Sequence, residues 1–134
     1  MYPAVLEGAL KLKEISYIHA EAYHAAELKH GPIALLTKDV PVIVAAPEST
    51  GKVKTIANMQ ECRARKSPVI AIATEGDEEI KEHCDEVIYI PRCQEFVAPI
   101  PVVIAEQLLA YHIARLRGCE IDQPRNLAKS VTVE

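Results

Sequence analysis

Val40-Pro41-Val42-Ile43-Val44-Ala45-Ala46 is an unbroken apolar run, β-branched at its centre and closed by Pro47. A strand with one wet face alternates apolar and polar residues. This run does not alternate, so it reads as a strand covered on both faces, which is the environment of a parallel sheet. Pro68-Val69-Ile70-Ala71-Ile72-Ala73 repeats the pattern, and Glu86-Val87-Ile88-Tyr89-Ile90 gives a third strand stopped by Pro91. Between and around them lie helical periods. Residues 50–66 predict a helix with Val53, Ile56, Ala57 and Met59 inward, capped by Ser49 or Thr50. Residues 77–83 predict a short polar helix. Residues 100–117 predict a long helix, apolar on most sides and capped by Gly118. Strand and helix in alternation imply an α/β fold built from βαβ units with right-handed crossovers.

Upstream, Pro3 can open a helix, and Val5, Leu6, Ala9, Leu10 and Leu12 recur at helical spacing over residues 4–16. Residues 20–29 predict a second helix, ended by Gly31-Pro32. A doubly wound sheet normally opens on a strand, whereas this chain opens on a helix. It is therefore expected to be a fragment lacking its first strand, with one sheet edge unpaired.

The 134 residues suit one domain; 49% are hydrophobic and 25% charged, and the net charge is −4. No basic cluster points to nucleic acid, and no apolar run approaches the ~18 residues of a membrane span. No secretory signal is evident, so a cytoplasmic setting is expected. The four cysteines, Cys62, Cys84, Cys93 and Cys119, lack metal-ligand spacing, and the five histidines form no zinc motif. No metal and no organic cofactor are expected.

Glu7, Lys11 and Glu14 fall on one helical stripe. On spacing alone, a solvated face laced by ion pairs is the better reading. Glu48-Ser49-Thr50-Gly51-Lys52 follows the first strand but lacks the glycine spacing of a phosphate loop. His30 sits before a Gly-Pro turn that could aim its ring outward, and Lys129 lies in the tail.

The tail, Asp122-Gln123-Pro124-Arg125-Asn126-Leu127-Ala128-Lys129-Ser130-Val131-Thr132-Val133-Glu134, would by itself read as ending in an edge strand. It resembles the C-terminus of the glucosamine-6-phosphate synthase family, the isomerising glutamine:fructose-6-phosphate amidotransferases. LEGALKLKEISYIHAEAY at 6–23 and ELKHGP at 27–32 resemble the same family. Two long blocks in the right order, about a hundred residues apart, make the likeness specific.

The resemblance implies a three-layer, parallel-sheet, flavodoxin-like subdomain of the sugar isomerase (SIS) type over 1–121, and a tail over 122–134 that closes over the active site. It implies a transferase and isomerase that converts fructose 6-phosphate and glutamine to glucosamine 6-phosphate and glutamate, in amino-sugar synthesis. Glu14 would be the base moving a proton between C1 and C2, with Glu7 and Lys11 lining the pocket. His30 would open the sugar ring in the active site of the partner subunit of a homodimer. Lys129 would contact the anomeric region and Ala128 offer backbone to the sugar, while Arg125 and Asn126 pin the tail. The glutaminase domain and the first SIS subdomain, with its phosphate loops, have no counterpart here, so the isolated chain is expected to be inactive. His24 and Ala26 depart from the family, which often has Gly where Ala26 stands. Two alternatives stay open: another SIS-domain phosphosugar isomerase, deglycase or deaminase, and a non-catalytic phosphosugar-binding regulator.

Overall fold

The computed structural model describes residues 1–127; the strand reading of the last residues lies outside them. Three parallel strands, β1 (Val42–Ala46), β2 (Val69–Thr74) and β3 (Glu86–Ile90), form one sheet in the order β1-β2-β3. Val44 faces Ala71, which faces Val87, and Ala45 faces Ile72, which faces Ile88. This register sorts side chains by parity, because successive residues point to opposite faces. Val42, Val44, Ala46, Val69, Ala71, Ala73 and Val87 meet one core with Met59 and Cys62. Ile43, Ala45, Ile72, Ile88 and Ile90 meet another with Ala4, Val102 and Ala105. Helix α2 (Lys52–Arg63) covers the first face; α1 (Tyr2–Lys11) and α3 (Pro99–Leu116) share the second. The three layers expected from the apolar runs are therefore present, and β1 and β3 form the sheet edges among the described residues.

Local departures have identifiable causes. Residues 20–29 are not an α-helix: residues 17–24 are irregular, and 3-10 segments span Ala25–His30 and Pro32–Leu35. A short helix is stable in a protein when it buries an amphipathic face, and no residue from 17 to 24 is buried. Ala26 has no positive φ, so the absence of a glycine there imposes no strain. In α2, Gly51 is the N-cap and no side chain caps the helix. Thr50 instead donates its N–H and hydroxyl to the Glu95 carboxylate, at 3.2 and 3.3 Å. Val53 is 80% exposed and Ala57 is also exposed, against the sequence expectation. Lys52 shares a face with Met59 two turns on and takes the inward position of the first turn, where Nζ meets Asp77 Oδ2 at 2.8 Å. With Lys52, Ile56, Met59 and Cys62 on the inner side, Val53 points outward. The polar segment at 77–83 is a 3-10 turn, Glu79–Glu82.

The end of α3 follows the sequence. Gly118 adopts φ 68, its N–H reaches Arg115 O at 3.0 Å, and the Cys119 N–H reaches Ala114 O at 2.9 Å. This pair of bonds satisfies carbonyls that the helix end leaves free. Gly118→Ala is expected to lower stability by about 1 kcal/mol, because alanine disfavours this left-handed conformation. Urea unfolding measures it, and an unchanged midpoint would refute the assignment.

Candidate active site

Helix α1 does not stop where its apolar period ends. It runs directly into a π-helical turn, Leu12–Ser16, closed by Tyr17 in the left-handed region at φ 58. Single π turns within helices occur frequently at functional sites. Ser16 is fully buried and donates its hydroxyl to Leu12 O at 2.6 Å. Ser16 O in turn accepts from Arg117 Nε at 3.1 Å, at the end of α3. The wider turn is thus tied to α3 at its C-terminal end.

Glu14 lies inside this turn. Lys11 Nζ is 2.6 Å from Glu14 Oε2 and 3.4 Å from Glu7 Oε1, and all three side chains are partly exposed. The structure therefore brings Glu7, Lys11 and Glu14 together as one carboxylate–ammonium–carboxylate array. The hydrogen bond to Glu14 raises the Lys11 pKa most, and burial opposes it. Lys11 stays charged at neutral pH, beside a carboxylate able to accept a proton.

Tyr17 anchors the following chain. The Arg125 N–H donates to the Tyr17 hydroxyl at 2.9 Å, and the Arg125 guanidinium lies 4.2 Å from the Tyr17 ring centroid. Arg125 therefore pins the start of the tail to the residue that ends the π turn. Ala128 and Lys129 lie outside the described residues.

His30 is exposed and stands apart from the array. Its 3-10 segment packs through Leu28 against the α2 face of the sheet, whereas α1 packs on the other face. At residues 48–52 the Glu95 carboxylate accepts from the Thr50 N–H ahead of α2, and Lys52 is paired with Asp77. Cys62 and Cys84 are buried, and burial pushes both thiols up, so neither is an activated nucleophile. Among the described residues no three His, Cys, Asp or Glu groups could hold a metal ion. Among them also, no helix is long and apolar enough to cross a membrane.

The residue that sequence reading missed is Glu106. It is 6% exposed, on the face of α3 that packs against α1, and its Oε2 has no hydrogen-bond partner. A Cβ built on Gly8 would lie 2.5 Å from Glu106 Cδ. Burial, with a smaller contribution from Glu7, pushes this carboxyl from 4.5 to about 7. The signal was its spacing: Val102, Glu106, Ala110 and Ala114 recur every fourth residue, a buried ridge with one acid in it. The raised pKa has a consequence for stability. The folded carboxyl keeps its proton up to about 7, while the unfolded one releases it near 4.5. Its contribution is complete below 4.5 and is lost as pH rises to about 7. Relative to Glu106→Gln, the protein is expected to lose about 3 kcal/mol across that window. Parallel stability curves for the two proteins in urea would refute this.

A SIS domain model matches residues 1–117. The chain belongs to the SIS domain family. This SIS domain is 61% identical over 133 residues to the glutamine–fructose-6-phosphate aminotransferase [isomerizing] of Chlorobaculum tepidum, covering 99% of the chain and 22% of that protein. It is 61% identical over 132 residues to the protein of the same name from Thermus thermophilus, again covering 22% of it. The SIS domain thus spans about a fifth of the length of these relatives. Among solved structures, it superposes on the C-terminal domain of glucosamine-fructose-6-phosphate aminotransferase from Francisella tularensis with a TM-score of 0.82 and 43% identity, over 91% of the chain and 34% of that one. It also superposes on glucosamine-6-phosphate deaminase from Thermotoga maritima with a TM-score of 0.79 and 27% identity, over 98% of the chain and 37% of that one.

Proposed function

We propose that this SIS domain is the C-terminal isomerase part of a glucosamine-6-phosphate synthase, which converts fructose 6-phosphate and glutamine to glucosamine 6-phosphate and glutamate. The observation that carries the reading is Lys11 held between Glu7 and Glu14 where α1 widens into the π turn. The shared name and 61% identity of the relatives support the choice of reaction.

Ammonia released from glutamine replaces the C2 oxygen of the ketose, which leaves as water, and the resulting C2 imine becomes a 2-amino aldose when a proton leaves C1 and arrives at C2. Glu14 takes the C1 proton and returns it to C2 on the same face. The Lys11 ammonium stabilises the negative charge that develops on oxygen in between. Glu7 shares Lys11 with Glu14 and keeps its charge in place. His30 opens the sugar ring, and it does so in the partner subunit of a homodimer. Its exposure and its distance in the fold from the array of its own chain fit that role.

The 122–134 segment is the closing tail of a domain spanning 1–121, with Ala128 giving backbone to the sugar and Lys129 reaching its anomeric region. The Arg125–Tyr17 contact supports this, because it starts the tail beside the π turn. The rest of the polypeptide supplies the glutaminase and the first SIS subdomain with its phosphate loops. Free thiols suit a cytoplasmic setting.

The test is an assay of the complete polypeptide with fructose 6-phosphate and glutamine, following glucosamine 6-phosphate. Glutamine-dependent product supports the reading. Release of ammonia from glucosamine 6-phosphate, without glutamine-dependent synthesis, would replace it with an amino-sugar deaminase, the activity named for the Thermotoga neighbour.

A further inference from the structure

We propose that Glu106, a buried side chain seated between α3 and α1 against Gly8, is a positioning residue for the Glu7–Lys11–Glu14 array. The inference rests on the reading of that array as the isomerase centre. Its geometry stands apart from that reading.

Gly8 leaves room for the Glu106 side chain and for nothing else: a Cβ there would meet Cδ at 2.5 Å, Oε2 at 2.7 Å and Glu106 Cβ at 3.0 Å. Gly8 is thus where a larger side chain could not be accommodated without moving Glu106 or α1. Glu7, the first member of the array, is next to Gly8 in the chain and bears electrostatically on Glu106. An ionised carboxylate in this seat would be buried with no partner for Oε2, an expensive arrangement. Packing in this seat therefore favours the protonated form over the ionised one.

The ionisable groups on the elements packed against α3 are Tyr2, Glu7 and Lys11 on α1, Lys13 and Glu14 on the π turn, and Glu86 and Tyr89 on β3. Of these, Glu7 alone adds to the effect of burial on Glu106, and it acts in the same direction. No cation on these elements offsets it. Loss of the Glu106 proton places a second negative charge beside Glu7. The array then responds in one of two ways. Either α1 moves off α3, or Lys11 is drawn from Glu14 toward the new charge. Each separates the proposed base from its ammonium.

The test uses the complete polypeptide, as wild type, Glu106→Gln and Glu106→Leu, assayed with fructose 6-phosphate and glutamine from about pH 6 to about pH 8.5. Wild-type kcat is expected to fall through a single ionisation near neutrality, on the order of tenfold one pH unit above its midpoint, with KM little changed. Both variants are expected to lose that limb, because neither can ionise. Identical profiles for wild type and Glu106→Gln would overturn the inference. A second readout is independent of turnover: the Glu106 carboxyl carbon and the Gly8 amide followed by NMR without substrate. A shared midpoint near neutrality, lost from Gly8 in Glu106→Gln, supports the coupling even if the polypeptide proves to be a deaminase. A Glu106 midpoint at the ordinary carboxylate value, or a Gly8 amide indifferent to it, overturns it.

Discussion

Glu14→Gln in the complete polypeptide is expected to lower turnover of fructose 6-phosphate by about 10²–10⁴-fold, the usual contribution of a positioned general base. The amide keeps the shape and hydrogen-bonding reach of the carboxylate but cannot take a proton. Stability is expected to stay near wild type. The Lys11–Glu14 pair is partly exposed, with side-chain exposures of 29% and 28%, and such pairs contribute only about 0–1 kcal/mol. Lys11 also retains Glu7 at 3.4 Å. The two readouts therefore separate: a folded protein with lost turnover assigns the proton transfer to Glu14. A folded variant with unchanged turnover would remove Glu14 from the chemistry and return the array to a solvated ion-pair face.

Ile72→Ala is expected to produce the largest loss of stability among these predictions. Ile72 is fully buried on the central strand, faces Ala45 and Ile88 in register, and belongs to the core that includes Ala4 of α1 and Val102 of α3. Removing its side chain takes away buried apolar area and leaves a cavity that strands on both sides keep open. The expected cost is about 2–5 kcal/mol, read from urea unfolding. Because Ala4 rests on the same core, the loss would also loosen the seat of α1 and hence of the array. Val53→Ala supplies the control. Its side chain is 80% exposed, and the change is expected to fall within about 0.5 kcal/mol of zero. A cost for Val53 comparable to that for Ile72 would contradict the burial pattern of α2.

Val53 also shows where reading a sequence stops. Periodicity assigned it to the inner face of α2, because periodicity weighs apolar residues and ignores what a charged residue can pair with. Met59 and Cys62, with Ile56, face the core, and that rotation puts Lys52 beside Asp77 and Val53 in solvent. The π turn was equally invisible. Leu12, Lys13, Glu14, Ile15 and Ser16 have nothing in their composition to distinguish a π turn from an α turn. Ser16 O at its end accepts from Arg117 Nε, a contact between distant parts of the chain. Glu106 could have been noticed as the acid on a four-residue ridge, but its raised pKa comes from burial between helices, with a smaller push from Glu7 of another helix.

What the sequence determined by itself was the layered α/β architecture, its three parallel strands and the glycine that ends α3. Those features follow from local chemistry, since an apolar run of strand length must be covered on both faces and a left-handed helix end favours glycine. The grouping of Glu7, Lys11 and Glu14 on one stripe was likewise legible, because helical geometry alone brings such spacings together. Tertiary structure decided the rest: that His30 lies on the opposite face from the array, that Arg125 docks on Tyr17, and that a buried acid stands behind the stripe. Each of these depends on which surfaces meet across the sheet or between helices. That is a property of packing between distant segments, and no local window of sequence contains it.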